Sequence, residues 1–145
     1  MIKRCFFILF STLLLVSCGS NQDQSATGSL DDKLPRMEFL EDIKNFDFGT
    51  LKEGQEVEHS FKFKNTGDFP LIINNVSASC GCTIPQWPRD PIGPGEEAAI
   101  LVRFNSRGKV GSQLKTVSIF ANTNPATTDI QFKAQVVASQ DSTIQ

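Results

Sequence analysis

The sequence predicts an all-β domain with the architecture of an antiparallel sandwich. Several segments alternate apolar and polar residues with a period of two, and turns rich in Gly, Pro and Asn separate them. No segment after the first 17 residues keeps a helical period. Since neighbouring side chains of a strand point to opposite faces, the alternation indicates strands with one face on a core. Short strands at this spacing over about 100 residues favour a sandwich, with a small barrel as the alternative.

The first strong strand pattern covers residues 56–64, and the turn sequence Asn65-Thr66-Gly67-Asp68 follows it. Four later apolar rows predict further strands, each bounded by turn residues. Their members are Pro70, Leu71, Ile72, Ile73 and Val76; then Ala98, Ile100, Val102 and Phe104; then Val117, Ile119 and Ala121; and finally Ile130, Phe132, Ala134 and Val136.

The N-terminus has the features of a secretory signal peptide. A charged start at Lys3 and Arg4 precedes an apolar run over residues 6–16, which is about half of the ~20 residues that a helix needs to cross a bilayer. The segment Leu15-Val16-Ser17-Cys18 resembles the bacterial lipobox, whose cysteine becomes the first mature residue and receives a diacylglyceryl group. The sequence therefore predicts cleavage after residue 17 and acylation of Cys18, with palmitate among the expected acyl groups.

This signal divides the chain into four parts. Residues 1–17 are the predicted signal peptide, 18–38 the acylated cysteine and a flexible linker, 39–138 the β-sandwich domain, and 139–145 a disordered tail. The linker is expected to be flexible because its small polar residues bury too little apolar area to offset the entropy of ordering. The predicted location is the bacterial cell envelope. Gly19 offers no aspartate retention signal, which favours the outer membrane, facing the periplasm.

The charge of the chain limits its partners. Without residues 1–17 the chain has 12 basic and 16 acidic residues, so its formal net charge changes from −2 to −4. A mildly acidic chain without a basic stripe argues against nucleic acid as a partner and against adhesion to anionic lipid. The expected partners are the membrane, through acylated Cys18, and an unknown envelope protein.

Cys80 and Cys82 are the most distinctive side chains of the predicted domain. In an oxidising compartment they are expected to form a structural bridge, unless they remain buried, inert thiols. A redox role and soft-metal binding by two thiolates stay open as alternatives. His59 is a tempting third ligand, but the strand register places it some 16 Å from the pair. No cofactor and no metal are therefore expected, and His59 is interpreted as a strand histidine at the edge of the core.

The segment from Thr83 to Glu96 is predicted to be a long, proline-stiffened loop. Long ordered loops are often functional, and a tryptophan beside an arginine suits a binding anchor. The candidate partner-binding residues are Thr83, Trp87, Arg89 and Asp90. The alternative is that Trp87 folds back as a lid on the end of the sandwich.

Several motifs resemble a known family over most of residues 43–137. They are Phe46-Asp47-Phe48-Gly49, the run His59 to Gly67, Pro70 to Ile73, Cys80-Gly81-Cys82-Thr83, Pro94-Gly95-Glu96, Gly108 to Gly111, and Asn122. In this order they resemble the bacterial domain-of-unknown-function family 1573, and the CGCT element is their most specific part. The resemblance implies an immunoglobulin-like sandwich of the ASPM and Hydin type, found in exported or lipid-anchored proteins, and implies no activity.

The inventory of reactive groups predicts a protein without enzymatic activity. One histidine, no nucleophile elbow and no phosphate-binding glycine loop do not assemble a usual catalytic constellation. The leading hypothesis is a lipid-anchored, non-catalytic envelope lipoprotein that binds or scaffolds another envelope component. The alternative is a thiol-redox or copper-handling envelope protein that uses Cys80 and Cys82.

Overall fold

Two β-sheets pack face to face in the computed structural model, which describes residues 34–139. The predicted signal peptide, Cys18, most of the linker and residues 140–145 lie outside the described residues. The strands are β1 (Met37–Phe39), β2 (Phe46–Lys52), β3 (Glu56–Asn65), β4 (Ile73–Ala78), β5 (Thr83–Gln86), β6 (Glu97–Asn105), β7 (Gly111–Ala121) and β8 (Thr127–Val137). Within residues 34–139 there is no helix that is long and apolar enough to cross a bilayer.

Each sheet contains four strands, in the orders β1-β3-β6-β5 and β2-β8-β7-β4. The predicted all-β sandwich is confirmed. One pairing departs from the expected antiparallel arrangement, because β2 runs parallel to β8. The reason is that the chain changes sheets between β1 and β2 without reversing into a hairpin.

The segment between β1 and β2 is a capped turn. The Asp42 carboxylate accepts hydrogen bonds from the side chain of Asn45 at 3.0 Å and from the backbone N–H of Lys44 at 2.7 Å. These two interactions, in that order, lower the pKa of Asp42 because they stabilise its ionised form. The carbonyl of Ile43 then accepts from the backbone N–H of Gln131, which brings the chain alongside β8.

The core lies between the two sheets and is rich in phenylalanine. Phe61, Phe63 and Phe104 are completely buried on one sheet, and Phe132 is 1% exposed on the other. Phe104 and Phe132 meet edge to face across the core, with ring centroids 5.5 Å apart. The predicted inward rows are confirmed at these positions. Ile72 is an exception to its row, since the side chain is exposed and β4 begins only at the next residue.

Three strands lack a strong sequence pattern and were not among the predicted rows. β1 is three residues long, β2 contains Gly49 in a positive-φ conformation with a register shift beside it, and β5 contains Pro85. All three lie at sheet edges. Edge positions tolerate proline and bulges, because one side of the strand has no ladder partner.

Asn65 fastens one end of the sandwich. The side chain is completely buried, and its Nδ2 donates to the carbonyls of Phe69 at 2.8 Å and Ile92 at 2.9 Å. Its Oδ1 accepts from the backbone N–H groups of Arg36 at 3.3 Å and Gly67 at 3.1 Å. One amide therefore joins the incoming chain, the turn after β3 and the segment before β6.

The two ends of the sandwich are formed by different segments of the chain. We call the end at residues 34–36, 65–71 and 93–96 the entry end, since the described chain begins there. The opposite end, called the distal end, contains residues 53–55, 79–82 and 106–110. There Ser106 is buried, and its hydroxyl lies 2.8 Å from the carbonyl oxygens of both Lys52 and Gln55.

The Phe132→Ala substitution should lower the free energy of unfolding by about 3–5 kcal/mol, because it removes a buried ring that contacts both sheets. Urea denaturation followed by circular dichroism measures the loss. Leu114→Ala is the matched control, since Leu114 is 72% exposed on β7, and it should change stability by less than about 0.5 kcal/mol. Equal effects of the two substitutions would contradict the assigned core.

The Asn65→Ala substitution should destabilise the domain by about 2–4 kcal/mol, because it leaves buried backbone groups without partners. Thermal and urea unfolding measure the effect. Asn74→Ala, at an exposed asparagine of β4, is the control and should be nearly neutral. A neutral Asn65→Ala variant would show that water replaces the amide and that this network does not hold the entry end.

Candidate functional site

The distal end is organised by a turn that a disulfide closes. Cys80 and Cys82 are joined in the structure, with their Cα atoms 5.3 Å apart. The carbonyl of Cys82 accepts from the backbone N–H of Asn105 at 2.9 Å, which starts the pairing of β5 with β6. The carbonyl of Cys80 accepts from the N–H of Thr83 at 3.3 Å. The bridge therefore closes the connection between β4 in one sheet and β5 in the other.

Thr83 does not belong to an exposed loop, contrary to the expectation from sequence. It is the first residue of β5, its side chain is 5% exposed, and its Oγ1 lies 3.5 Å from the Sγ of Cys80. The predicted loop from residue 83 to 96 is shorter for the same reason, since β5 occupies its first part. Burial of Thr83 beneath the disulfide removes it from the surface that a partner could contact.

Trp87 lies directly after β5 and is partly buried against the hydrophobic core. Its Nε1 is buried and has no hydrogen-bond partner among the described residues. The guanidinium carbon of Arg89 lies 3.7 Å from the centroid of the Trp87 ring, a cation–π arrangement. Arg89 and Asp90 are exposed. The structure thus brings Trp87 and Arg89 together and presents Arg89 and Asp90 to solvent on an aromatic support.

His59 is engaged within the fold. Its Nε2 lies 2.6 Å from Oε2 of Glu41, and its ring stacks on Phe46 with centroids 4.2 Å apart. The side chain is 32% exposed, which fits a strand histidine at the edge of the core. It pairs with Val102 on β6, several residues along that strand from Asn105, which contacts Cys82. Among residues 34–139, no three His, Cys, Asp or Glu side chains form a group that could hold a metal ion.

A shallow depression of about 330 Å³ lies beside the disulfide. Ile84, which is 54% exposed, forms part of its wall, and Arg103 donates to the carboxylate of Glu58 at 3.0 Å. The other lining residues are Glu56, Gly81, Cys82, Asn105 and Arg107. Sequence reasoning missed this depression. The outward alternation of β6 places Arg103 on the correct face, but the neighbouring strand β5 has no pattern that reveals it.

The family of the chain follows from a match that covers most of the domain. Residues 38–136 match the family described as "Protein of unknown function (DUF1573)". The chain belongs to this family. The resemblance that the CGCT element and the surrounding motifs indicated is thereby confirmed. No curated protein sequence matches this member.

Solved structures share the fold of this DUF1573 member at low sequence identity. A protein of unknown function from Porphyromonas gingivalis W83 is 19% identical, with a TM-score of 0.63, over 77% of this chain and 51% of the other. The PapD-like domain 7 of human CEP192 is 12% identical, with a TM-score of 0.59, over 84% and 97%. The secreted serine protease VesC from Vibrio cholerae is 12% identical, with a TM-score of 0.54, over 74% and 24%.

These similarities establish only the fold, which is an immunoglobulin-like, PapD-like sandwich. The chain spans about half the length of the Porphyromonas protein and about a quarter of VesC. The family and its structural neighbours of unknown function assign no activity to the disulfide turn or to the Trp87 segment.

Removal of the disulfide should lower stability only moderately. Its closed ring contains about three residues, so the loop-closure contribution is no more than about 2 kcal/mol. Urea denaturation of the protein with and without dithiothreitol measures the difference, and the domain should remain folded when reduced. The Cys80→Ser/Cys82→Ser double variant is the control, because dithiothreitol should not change its midpoint. Unfolding of the wild type on reduction alone would contradict this account.

Proposed function

We propose that this DUF1573 protein is a lipid-anchored bacterial envelope lipoprotein, without catalytic activity, that binds another envelope component. The anchor is Cys18, at the end of the lipobox-like segment Leu15-Val16-Ser17-Cys18. The disulfide between Cys80 and Cys82 supports export, because thiols in a bacterial cytosol are usually kept reduced. The proposed location is the outer membrane, with the sandwich facing the periplasm.

The contacts of His59 fit a structural role for this histidine. Its Nε2 is paired with Glu41, and Phe46 covers one face of its ring. The carboxylate of Glu41 also accepts a hydrogen bond from the backbone N–H of Lys62 at 3.3 Å. Glu41 and His59 therefore connect the segment between β1 and β2 with β3.

The observation that carries the binding proposal is the stack of Arg89 on Trp87. Trp87 packs against the core, and Arg89 lies over the ring at 3.7 Å. A guanidinium held over an aromatic ring loses less entropy when a partner binds it, and tryptophan and arginine are both enriched in binding hot spots. Arg89 and the adjacent Asp90 would then contact the partner, with Trp87 as their support.

The alternative, a thiol-redox or copper-handling role, gains no support from residues 34–139. The two sulfurs are joined to each other, and the described surroundings add no further thiol or histidine to them. A structural bridge that closes the connection between sheets accounts for the geometry.

Site-specific crosslinking in cells tests the binding proposal. A benzoylphenylalanine photo-crosslinker at position 88 or 91, on either side of Arg89 and Asp90, should capture a distinct envelope protein, and the same probe at position 107, an exposed arginine of the distal end, should not. Arg89→Ala/Asp90→Ala should reduce the yield from either probe. The absence of any product from positions 88 and 91, or an identical product from position 107, would refute the proposed surface.

The anchor is tested separately on the same preparations. Intact mass of the membrane-extracted protein should show residues 1–17 removed and acyl groups added, and Cys18→Ser should abolish both changes. A chain that retains Met1 and fractionates with the cytosol would overturn the localisation.

A further inference from the structure

The two edge strands β4 and β5 contain no charged residue. From Phe69 to Pro88 the sequence contains no Asp, Glu, Lys, Arg or His, and this stretch includes both β4 and β5. Both strands are at sheet edges, β4 in one sheet and β5 in the other. Exposed edges usually carry charges that prevent pairing with another chain, so a neutral edge is open to such pairing.

The other three edges are protected against strand addition. β5 contains Pro85, which has no backbone N–H, and β1 is only three residues long. On β2, the carboxylate of Asp47 accepts from the N–H of Gly49 at 2.7 Å, and the side-chain oxygen of Gln55 accepts from the N–H of Lys52 at 3.1 Å. These caps use backbone donors of the β2 edge.

β4 lacks these protections over Asn75–Ala78. Its register with β7 shifts only between Ile73 and Asn75, and the rest of the strand pairs regularly. The backbone N–H of Ser79 donates to the carbonyl of Thr116 at 2.9 Å. The backbone N–H and C=O groups of Asn75, Ser77 and Ser79 therefore point toward β7. Because antiparallel strands alternate, the backbone groups of Val76 and Ala78 point away from β7. No strand among residues 34–139 pairs with that side.

We propose that two copies of this chain pair through β4 as antiparallel strands, joining two four-stranded sheets into one continuous sheet. Val76 of each copy would exchange hydrogen bonds with Ala78 of the other. This register places the two Ser77 residues opposite each other on a two-fold axis, in a pair without direct backbone hydrogen bonds.

The uncharged edge of β4 favours a second copy of this chain as its partner. A two-fold contact sets identical residues near one another, and like charges facing across strands are destabilising. β4 has no charged residue, so no such repulsion arises between its two copies, and the exposed apolar side chains of Ile72 and Phe120 lie beside it. This inference does not depend on the proposed binding role of Arg89.

The dimer is expected to be weak, because one strand pair buries far less area than a stable interface of ~1,600 Å². Sedimentation equilibrium of the full chain, extracted from membranes in a density-matched detergent, should show a reversible monomer–dimer equilibrium. Ser77→Lys should weaken dimerisation about fivefold, because it places two ammonium groups opposite each other. Ser112→Lys, at an exposed position on the inner strand β7, should leave the dissociation constant unchanged.

Charge reversal makes the register testable. A mixture of Ser77→Lys and Ser77→Glu proteins should form a heterodimer tighter than either homodimer. In cells, Ser77→Cys should give a disulfide-linked dimer on a non-reducing gel, and Ser112→Cys should not. Circular dichroism of each variant confirms folding, and Ser77 is suited to substitution because its side chain is exposed.

Three results would overturn the proposal. They are a monomer at all concentrations, a Ser77→Lys protein that dimerises as well as the wild type, and a Ser77→Cys crosslink to a different protein in place of a second copy. The crosslinkers at positions 88 and 91 report separately on the surface around Arg89, so failure of one proposal is distinguishable from failure of the other.

Discussion

The burial of two rows of aromatic side chains between the sheets is the constraint on which the fold depends. Phe104 from one sheet meets Phe132 from the other, and both are almost completely buried. Because side chains alternate along a strand, a slip of one residue in β3 would put Lys62 in the place of Phe61. The core therefore fixes the register of the long strands, and that register decides which groups reach the surface, the edges and the ends.

The sequence predicts best the strands that this constraint governs. β3, β6, β7 and β8 alternate clearly because each has one face on the core and the other in water. The sequence of β5 predicts a loop because Pro85 interrupts a short segment, and the parallel pairing of β2 with β8 depends on a sheet change that no local pattern encodes. In the sequence, Asn65 resembles an ordinary turn residue. Its side chain is buried and hydrogen-bonded because Ile92 and Arg36, from distant parts of the chain, lie next to it in the fold.

The candidate site shows the same division between local and distant information. The spacing of Cys80 and Cys82 made a bridge foreseeable, and the closeness of Arg89 to Trp87 in sequence made their contact plausible. The burial of Thr83 was not foreseeable, because it arises from pairing with Phe104 on β6. The contact between Glu41 and His59 is likewise absent from any local pattern, because the turn between β1 and β2 brings Glu41 to His59.

The two proposals place a geometric demand on the linker. The proposed anchor would lead to the entry end, while antiparallel pairing through β4 would point the entry ends of two copies in opposite directions. With the two-fold axis along the membrane normal, the strands run parallel to the membrane surface and both entry ends lie at the same height above it. The two linkers then have equal spans, similar to the ~10 Å that separates two packed sheets. Residues 19–33 can extend to at most about 50 Å, so two copies anchored in one membrane can pair in this register.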